Sequence, residues 1–340
     1  MFYWQVKEAL ADLRRTKKAI ITLGCSFVEG QGAVDQDLYE SMEWSMDRLG
    51  KPMTPRIDKK GRARLLLKYK NMLSVNPDKT IDWSRMHFSN AFGNILARLY
   101  YKSEYTCINF GMAGRGNRAT IKCLSLYTQF DWESLDEIIV IYMPSGPERF
   151  DFISDNFDGH GMFQTMWPHP DDCQSGPRKT LWKGYAEALY SDKFVILEQL
   201  SNVIELQTWC KLHNAKLVIT PAFEGHMYTV DNFKSALHKQ IWRTMECEIK
   251  DIGELQDRDQ IAHTDGLIRK WPWDKMFYPD GQKSFAQMCL AKEGINPNTG
   301  MWEFQNKGTP NNWFTKCCHP SAKAHQYFAA RLFEHLEKDK

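Results

Sequence analysis

Four short apolar runs punctuate the chain, each followed by a turn signal: 18-KAIITLG-24, 105-YTCINFG-111, 137-EIIVIYMP-144 and 215-AKLVITP-221. Continuous runs of this kind, as opposed to alternation, belong to strands covered on both faces. Helical spacing lies between them. Residues 90-NAFGNILARLYY-101 place Phe92, Ile95, Leu96 and Leu99 on one face. In 193-KFVILEQLSNVIELQTWCKLH-213, Leu197, Leu200, Val203 and Ile204 form a stripe that Gln207 interrupts. A last helix follows Pro320, with Ala324, Phe328, Leu332 and Leu336 along one side. Alternating strands and helices predict a three-layer α/β/α sandwich on a parallel sheet, with ligands at the carboxyl ends of its strands.

Three segments fall outside a minimal version of that plan, approximately 45–85, 151–192 and 223–312, and read as insertions rimming the active end of the sheet. The first carries the charge run 56-RIDKKGRARLLLKYK-70. The third carries one helix near 230–250 and the stretch 269-RKWPWDKMFYPDG-281, with a fifth strand expected near 267–277. The whole of 1–340 is then one α/β domain with long insertions, a size one such domain accommodates. With 43% hydrophobic and 25% charged residues a packed core is expected, and global disorder is excluded.

Charge narrows the partners. The 44 Lys and Arg against 42 Asp and Glu leave a formal net charge of +2, which argues against a polyanion binder; the basic run is expected to face solvent. The apolar runs are well short of the ~18 residues of a membrane span. The first twenty residues lack a signal-peptide pattern, so a cytoplasmic location is expected. The nine Cys are scattered without a staple framework and read as reduced thiols.

Candidate chemistry gathers at the strand ends. In 23-LGCSFVEGQG-32, Ser26 sits where the first strand turns into a helix, a place to form and hold a tetrahedral oxyanion; a serine there also serves simply as a helix cap. Its neighbour Cys25 is the weaker nucleophile candidate, because successive residues at a strand end point different ways. In 108-INFGMAGRGNRA-119 three glycines follow the second strand without the Walker or dinucleotide spacing, leaving Gly114 N–H or Asn117 as oxyanion donors, or a plain tight turn. In 142-YMPSGPERFDF-152, Ser145 and Arg149 lie past the third strand, and Arg149 suits a carboxylate or a sugar hydroxyl. In 316-KCCHPSAKAHQYFAARLFEHL-336, His319 precedes a proline positioned to open the last helix and is a suitable proton acceptor for a serine on the first strand. Cys317, Cys318, His319 and His325 supply soft donors, but adjacent cysteines rarely converge on one tetrahedral ion, so no metal and no cofactor are expected.

Taken in order, these blocks resemble those of the SGNH (GDSL) hydrolase superfamily, in the Gly-Cys-Ser-Phe variant found among bacterial and phage-encoded members. The resemblance covers roughly 18–144, 194–221 and the last helix. It implies a flavodoxin-like parallel sheet, Ser26 as nucleophile, Gly114 as oxyanion glycine and His319 as base, and cleavage of esters, thioesters or sugar O-acyl groups. Two positions depart from the family. Its Gly-x-Asn-Asp block is replaced by Met-Pro-Ser-Gly, so Ser145 would serve in place of the oxyanion Asn. The Asp three residues before the base is replaced by Lys316, which has only donors and opposes imidazolium charge. Asp274, Asp280 and Glu303 are the expected substitutes for that carboxylate. Trp271 and Trp273, with Trp167 and Trp182, suit a saccharide ester, and equally an aliphatic acyl chain or the cores of the insertions; the expected activity is serine-dependent ester hydrolysis, with a carbohydrate O-deacylase as the preferred substrate class. A non-catalytic ligand-binding or phage-particle-associated protein on a hydrolase scaffold is the alternative.

Overall fold

In the computed structural model, residues 3–31, 33, 43–46, 52–56, 74–75, 81–82, 84–145, 149–153, 163–166, 180, 192–222, 272–297, 313–315 and 319–338 are described. Helix α1 (Tyr3–Thr16) leads into β1 (Lys18–Gly24) and the single-turn α2 (Ser26–Glu29). Helices α3 (Ser84–Asn90) and α4 (Phe92–Ile95) precede β2 (Thr106–Gly111) and α5 (Asn117–Leu126). Strand β3 (Glu137–Met143) is followed by the hairpin β4 (Phe150–Ile153) and β5 (Phe163–Met166). Helix α6 (Asp192–Leu212), β6 (Lys216–Ile219), α7 (Phe285–Lys292) and α8 (Ala322–Glu337) complete the core. Two antiparallel strand pairs, Glu43–Met46 with Pro52–Arg56 and Ser74–Val75 with Ile81–Asp82, lie in the first insertion.

The four apolar runs form one parallel sheet in the order β6-β3-β1-β2. In sequence order of the sheet strands this reads 2-1-3-4. The chain therefore leaves β1 toward one edge and later returns past it to the other, which puts the topological switch point between β1 and β3. The expected fifth strand is seen as a single parallel bridge, Ile219 with Met276, backed by Phe277 N–H donating to Ile219 O at 2.8 Å. Residues 267–271 lie outside the described residues.

Side chains alternate across the sheet into two cores, which is why the strand sequences are apolar throughout. Ile21, Leu23, Ile108, Phe110, Val140 and Tyr142 meet α1, α5 and α6. Ile20, Cys107, Ile139, Ile141, Met143 and Val218 meet α2, α4, α7 and α8. The sheet thus has a helical layer on each face.

Two helical faces differ from their spacing. Phe92, Ile95 and Leu96 are buried, whereas Leu99 is 51% exposed. The reason is a π turn over Leu96–Tyr100, with Tyr101 N–H bonded to Leu96 O; the wider turn rotates Leu99 off the inner face. In α6 the stripe does not end at Gln207. Leu206, Trp209 and Cys210 continue it, and Ile204 is only half-buried. Cys25, Cys107, Cys123, Cys210 and Cys289 are buried free thiols.

Candidate active site at the carboxyl edge of the sheet

Register brings the strand ends level: Gly24 pairs with Gly111 on one side and with Met143 on the other. The segments carrying Ser26, Gly114 and Ser145 therefore all emerge at one edge. Gly24 is required at that junction, since a Cβ there would lie 2.3 Å from Met143 O. Cys25 is the N-cap residue of α2, which makes Ser26 its first helical position. Gly30 closes the turn in the left-handed region at φ 88°.

His319 arrives from the opposite end of the chain. Its carbonyl accepts from Thr315 N–H at 2.9 Å and Thr315 Oγ1 at 3.1 Å, and Phe314 bridges Pro320. Pro320 does not open the helix. It sits one residue before Ser321, which is the true N-cap and accepts from Ala324 N–H. Held this way, His319 Nε2 lies 2.9 Å from Ser26 Oγ across 293 residues of sequence. Phe27 packs against the imidazole, with centroids 5.7 Å apart.

Cys25 points away into the core and is 1% exposed. Burial raises its thiol above the ordinary value, against the lowering influence of Arg149 and of hydrogen bonds from Phe27 and Ser26. A thiol held neutral is a poor nucleophile.

The glycine-rich loop is tied from both sides. Ala113 N–H donates to Glu29 Oε2 at 2.5 Å, Arg115 N–H to Met112 O at 3.2 Å, and Gly116 N–H to Asp151 Oδ1 at 2.9 Å. Gly114 lies between them in the left-handed region, φ 74°, and its N–H donates to no described residue. Met112 N–H donates to Gly24 O and Asn109 Nδ2 to Val28 O, which lock the loop to the Ser26 turn.

Asn117 and Ser145 bind each other. Ser145 N–H and Oγ donate to Asn117 Oδ1 at 2.7 and 3.2 Å, and Asn117 Nδ2 donates to Ser145 O at 3.1 Å. Arg149 is half-buried, and its Nη1 donates to Arg115 O at 3.2 Å.

Two of the three carboxylates expected to orient His319, Asp280 and Asp274, are engaged elsewhere. Asp280 accepts from Tyr327 Oη and lies within 2.8 Å of Lys292 Nζ and 3.1 Å of Arg331 Nε, an arrangement that lowers its pKa against its partial burial. Asp274 is largely exposed and pairs with Lys275 at 2.8 Å. Glu303, Trp271, Lys316, Cys317, Cys318, Trp167 and Trp182 lie outside the described residues. Trp273 opens a short 3-10 turn, Trp273–Lys275, and only its backbone is described.

Two acids escaped the sequence reading. Glu29 is one turn beyond Ser26 on α2, an offset that faces residues together, and that spacing was its only signal. Asp151 had none: it is buried and caps α5 from a different strand, accepting Gly116 and Ala119 N–H and Thr165 Oγ1 at 2.6 Å. Burial raises the Asp151 pKa against those bonds. Replacing Asp151 by Ala leaves two helix N–H groups without their acceptor. The expected cost is about 2–3 kcal/mol, read as a lower urea midpoint at unchanged slope.

His325 is a core residue. It is fully buried, stacks on Phe92 at 6.0 Å, and its Nδ1 accepts from Phe92 N–H at 3.2 Å. Among the described residues no helix is long and apolar enough to cross a membrane.

Comparison with protein-family models and with curated proteins found no match. Among solved structures, the chain is similar to an acetyl xylan esterase (Est2A) from the rumen bacterium Butyrivibrio proteoclasticus. The identity is 13% and the TM-score 0.37, and the match covers 95% of this chain and 64% of that chain. This chain thus spans less than two thirds of that protein's length.

Proposed function

We propose that this protein is a serine-dependent ester hydrolase of the SGNH type. The observation that carries the reading is the 2.9 Å contact between Ser26 Oγ and His319 Nε2 at the carboxyl edge of a parallel sheet. The strand order 2-1-3-4, with the Met276 bridge at its edge, agrees with the flavodoxin-like order that the resemblance implies, and so supports the same reading.

Ser26 Oγ bonds to the acyl carbon as its proton passes to His319 Nε2. The carbonyl oxygen, now negative, is met by Gly114 N–H and Ser26 N–H. Asn117 Nδ2, which keeps a second N–H beyond its bond to Ser145 O, is the third donor, whereas the one hydroxyl proton of Ser145 is given to Asn117 Oδ1. The tetrahedral centre collapses and the ester C–O bond breaks. The leaving alkoxide takes the proton from Nε2 and departs as the alcohol. Water then attacks the acyl-enzyme, giving one proton to Nε2 that returns to Ser26 Oγ as the acid leaves. Arg149 and the Trp-rich third insertion, including Trp271 and Trp273, suit a saccharide carrying O-acyl groups. A second reading, a binding protein on this scaffold, rests on Lys316 standing where the family has Asp.

A fluorophosphonate probe separates the two. Ser26 is expected to be the labelled residue in the mapped peptide, with Cys25→Ala labelled at the wild-type rate and Ser26→Ala not labelled. Label on Cys25 reverses the nucleophile assignment, and no label on either residue favours the binding protein. Activity on O-acetylated oligosaccharides well above that on p-nitrophenyl esters of longer aliphatic acids is the expected substrate profile.

A further inference from the structure

Asn117 serves as an oxyanion donor only while its second N–H points one way. Two sets of bonds decide that direction. The first fixes the amide. Ser145 N–H can only donate, so the atom 2.7 Å from it is Oδ1, which turns Nδ2 to Ser145 O at 3.1 Å. The second set fixes the backbone that carries the amide. Asp151, on β4, accepts Gly116 N–H with Oδ1 at 2.9 Å and Ala119 N–H with Oδ2 at 2.8 Å, and these two donors bracket Asn117. Resting on the hydrolase reading, we propose that Asp151, anchored by Thr165 of the β4–β5 hairpin, is a positioning residue that holds Asn117 in line with the oxyanion.

The start of α5 is shaped around this carboxylate. Its N-cap residue is Gly116, which has no side chain to cap the helix. A Cβ at Gly116 would lie 2.6 Å from Arg149 O and 2.6 Å from Asp151 Oδ2, so the position is kept small to admit the acid. Asp151 is 1% exposed. A carboxylate that deep is tolerated only when its oxygens are bonded. Thr165 lies directly across from it in the hairpin, and Thr165 Oγ1 donates to Oδ1 at 2.6 Å. Burial raises the Asp151 pKa, whereas Thr165, Ala119, Gly116 and Arg115 favour the ionised form.

A plain helix cap would account for the two N–H bonds but not for where they fall. Asn117 is the first residue of α5, and the same stretch of chain sets both parts of it. Ser145, at the start of that stretch, bonds the amide through its N–H, Oγ and carbonyl. Asp151, at its end, bonds the backbone on either side. Between them Arg149 Nη1 donates to Arg115 O at 3.2 Å, which ties the loop leading into the helix. The β4–β5 hairpin, which lies in the second insertion, thereby acts on the oxyanion site through Asp151 without touching substrate. Misalignment of one donor by a fraction of an ångström is felt in the chemical step more than in substrate binding.

The test is a pair of double-mutant cycles on p-nitrophenyl acetate hydrolysis in the full chain. Asp151→Asn and Thr165→Val are each measured with and without Asn117→Ala. Asn117→Ala is expected to lower kcat about 10²-fold, the cost of one oxyanion donor. Asp151→Asn keeps one acceptor oxygen and loses the other, and is expected to lower kcat about tenfold at nearly constant KM. Thr165→Val leaves both helix bonds of Asp151 in place and removes only its anchor, for a loss of about threefold that Thr165→Ser restores. In the Asn117→Ala background neither change lowers kcat further, because no donor is left to aim. Wild-type kcat in both single variants, or losses that multiply with that of Asn117→Ala, overturns the proposal and leaves Asp151 as a helix cap. If Asp151→Asn does not fold, the Thr165→Val cycle decides alone. The hydrolase reading fails separately, if Ser26→Ala hydrolyses the ester at the wild-type rate.

Discussion

Replacing Ser26 by Ala is expected to lower kcat/KM for a simple ester by about 10³-fold or more, and His319→Ala by a similar factor. The double variant is expected to be no slower than either single one. The reason lies in the 2.9 Å contact: the hydroxyl is a useful nucleophile only while Nε2 accepts its proton, and Nε2 has nothing to accept once the hydroxyl is gone. Groups that act as one unit lose their whole contribution with the first member. Residual turnover in all three variants comes from the Gly114 loop, which stays tied by Glu29 and Asp151. Both variants keep the fold, because Ser26 makes its turn through backbone bonds, Gly30 and Gln31 N–H to its carbonyl. The measurement is steady-state hydrolysis with melting curves alongside. Multiplicative losses in the double variant, or an active Ser26→Ala, show that the two side chains do not share a proton.

The sheet was legible in the sequence because both of its faces are covered: each strand needed apolar residues at consecutive positions, and turns followed at Gly24, Gly111, Pro144 and Pro221. Leu99 was misplaced because the π turn depends on i→i+5 bonds, which a 3.6-residue pattern does not encode. Ser26 and His319 were legible for a related reason, since each lies next to an element boundary that the pattern marks. Asp151 was not, because its partners Gly116 and Ala119 are separated from it by more than thirty residues and a strand crossing. Ser145 and Asn117 stand in the sequence as separate oxyanion-donor candidates; their mutual bonding was invisible until the strand ends were brought level. His325 looked like a possible soft donor beside Cys317 and Cys318. It is instead a substitute for a missing cap: Ala91 makes no side-chain cap bond at the start of α4, and the imidazole of α8 accepts the Phe92 N–H.

That substitution makes the fold acid-sensitive. His325 Nδ1 is an acceptor, so the proton sits on Nε2, which is buried with no hydrogen-bond partner. A second proton would have to displace the Phe92 bond and place a charge among Phe92, Phe285 and Phe328. Burial first, then the neighbouring His319 and His87, push its pKa down to about 3 from an ordinary 6.5. As pH falls through 6.5 the unfolded chain takes up this proton and the folded chain does not, until about pH 3. Stability is therefore complete above pH 6.5 and declines across that window, at up to about 1.4 kcal/mol per pH unit from this one group. Glu29 and Asp151 oppose the trend. Their raised folded values mean the folded state binds their protons first as pH falls, which favours it. His325→Leu isolates the effect. At neutral pH it loses the Phe92 acceptor, at a cost of about 1–2 kcal/mol, and removes an unpartnered buried N–H in the same step. On acidification it has no proton to exclude. The urea stabilities of wild type and His325→Leu are thus expected to converge between pH 7 and pH 5 and to cross toward pH 4, with Leu the more stable. Curves that stay parallel over that range would show that the buried imidazole does not set the acid limit of this fold.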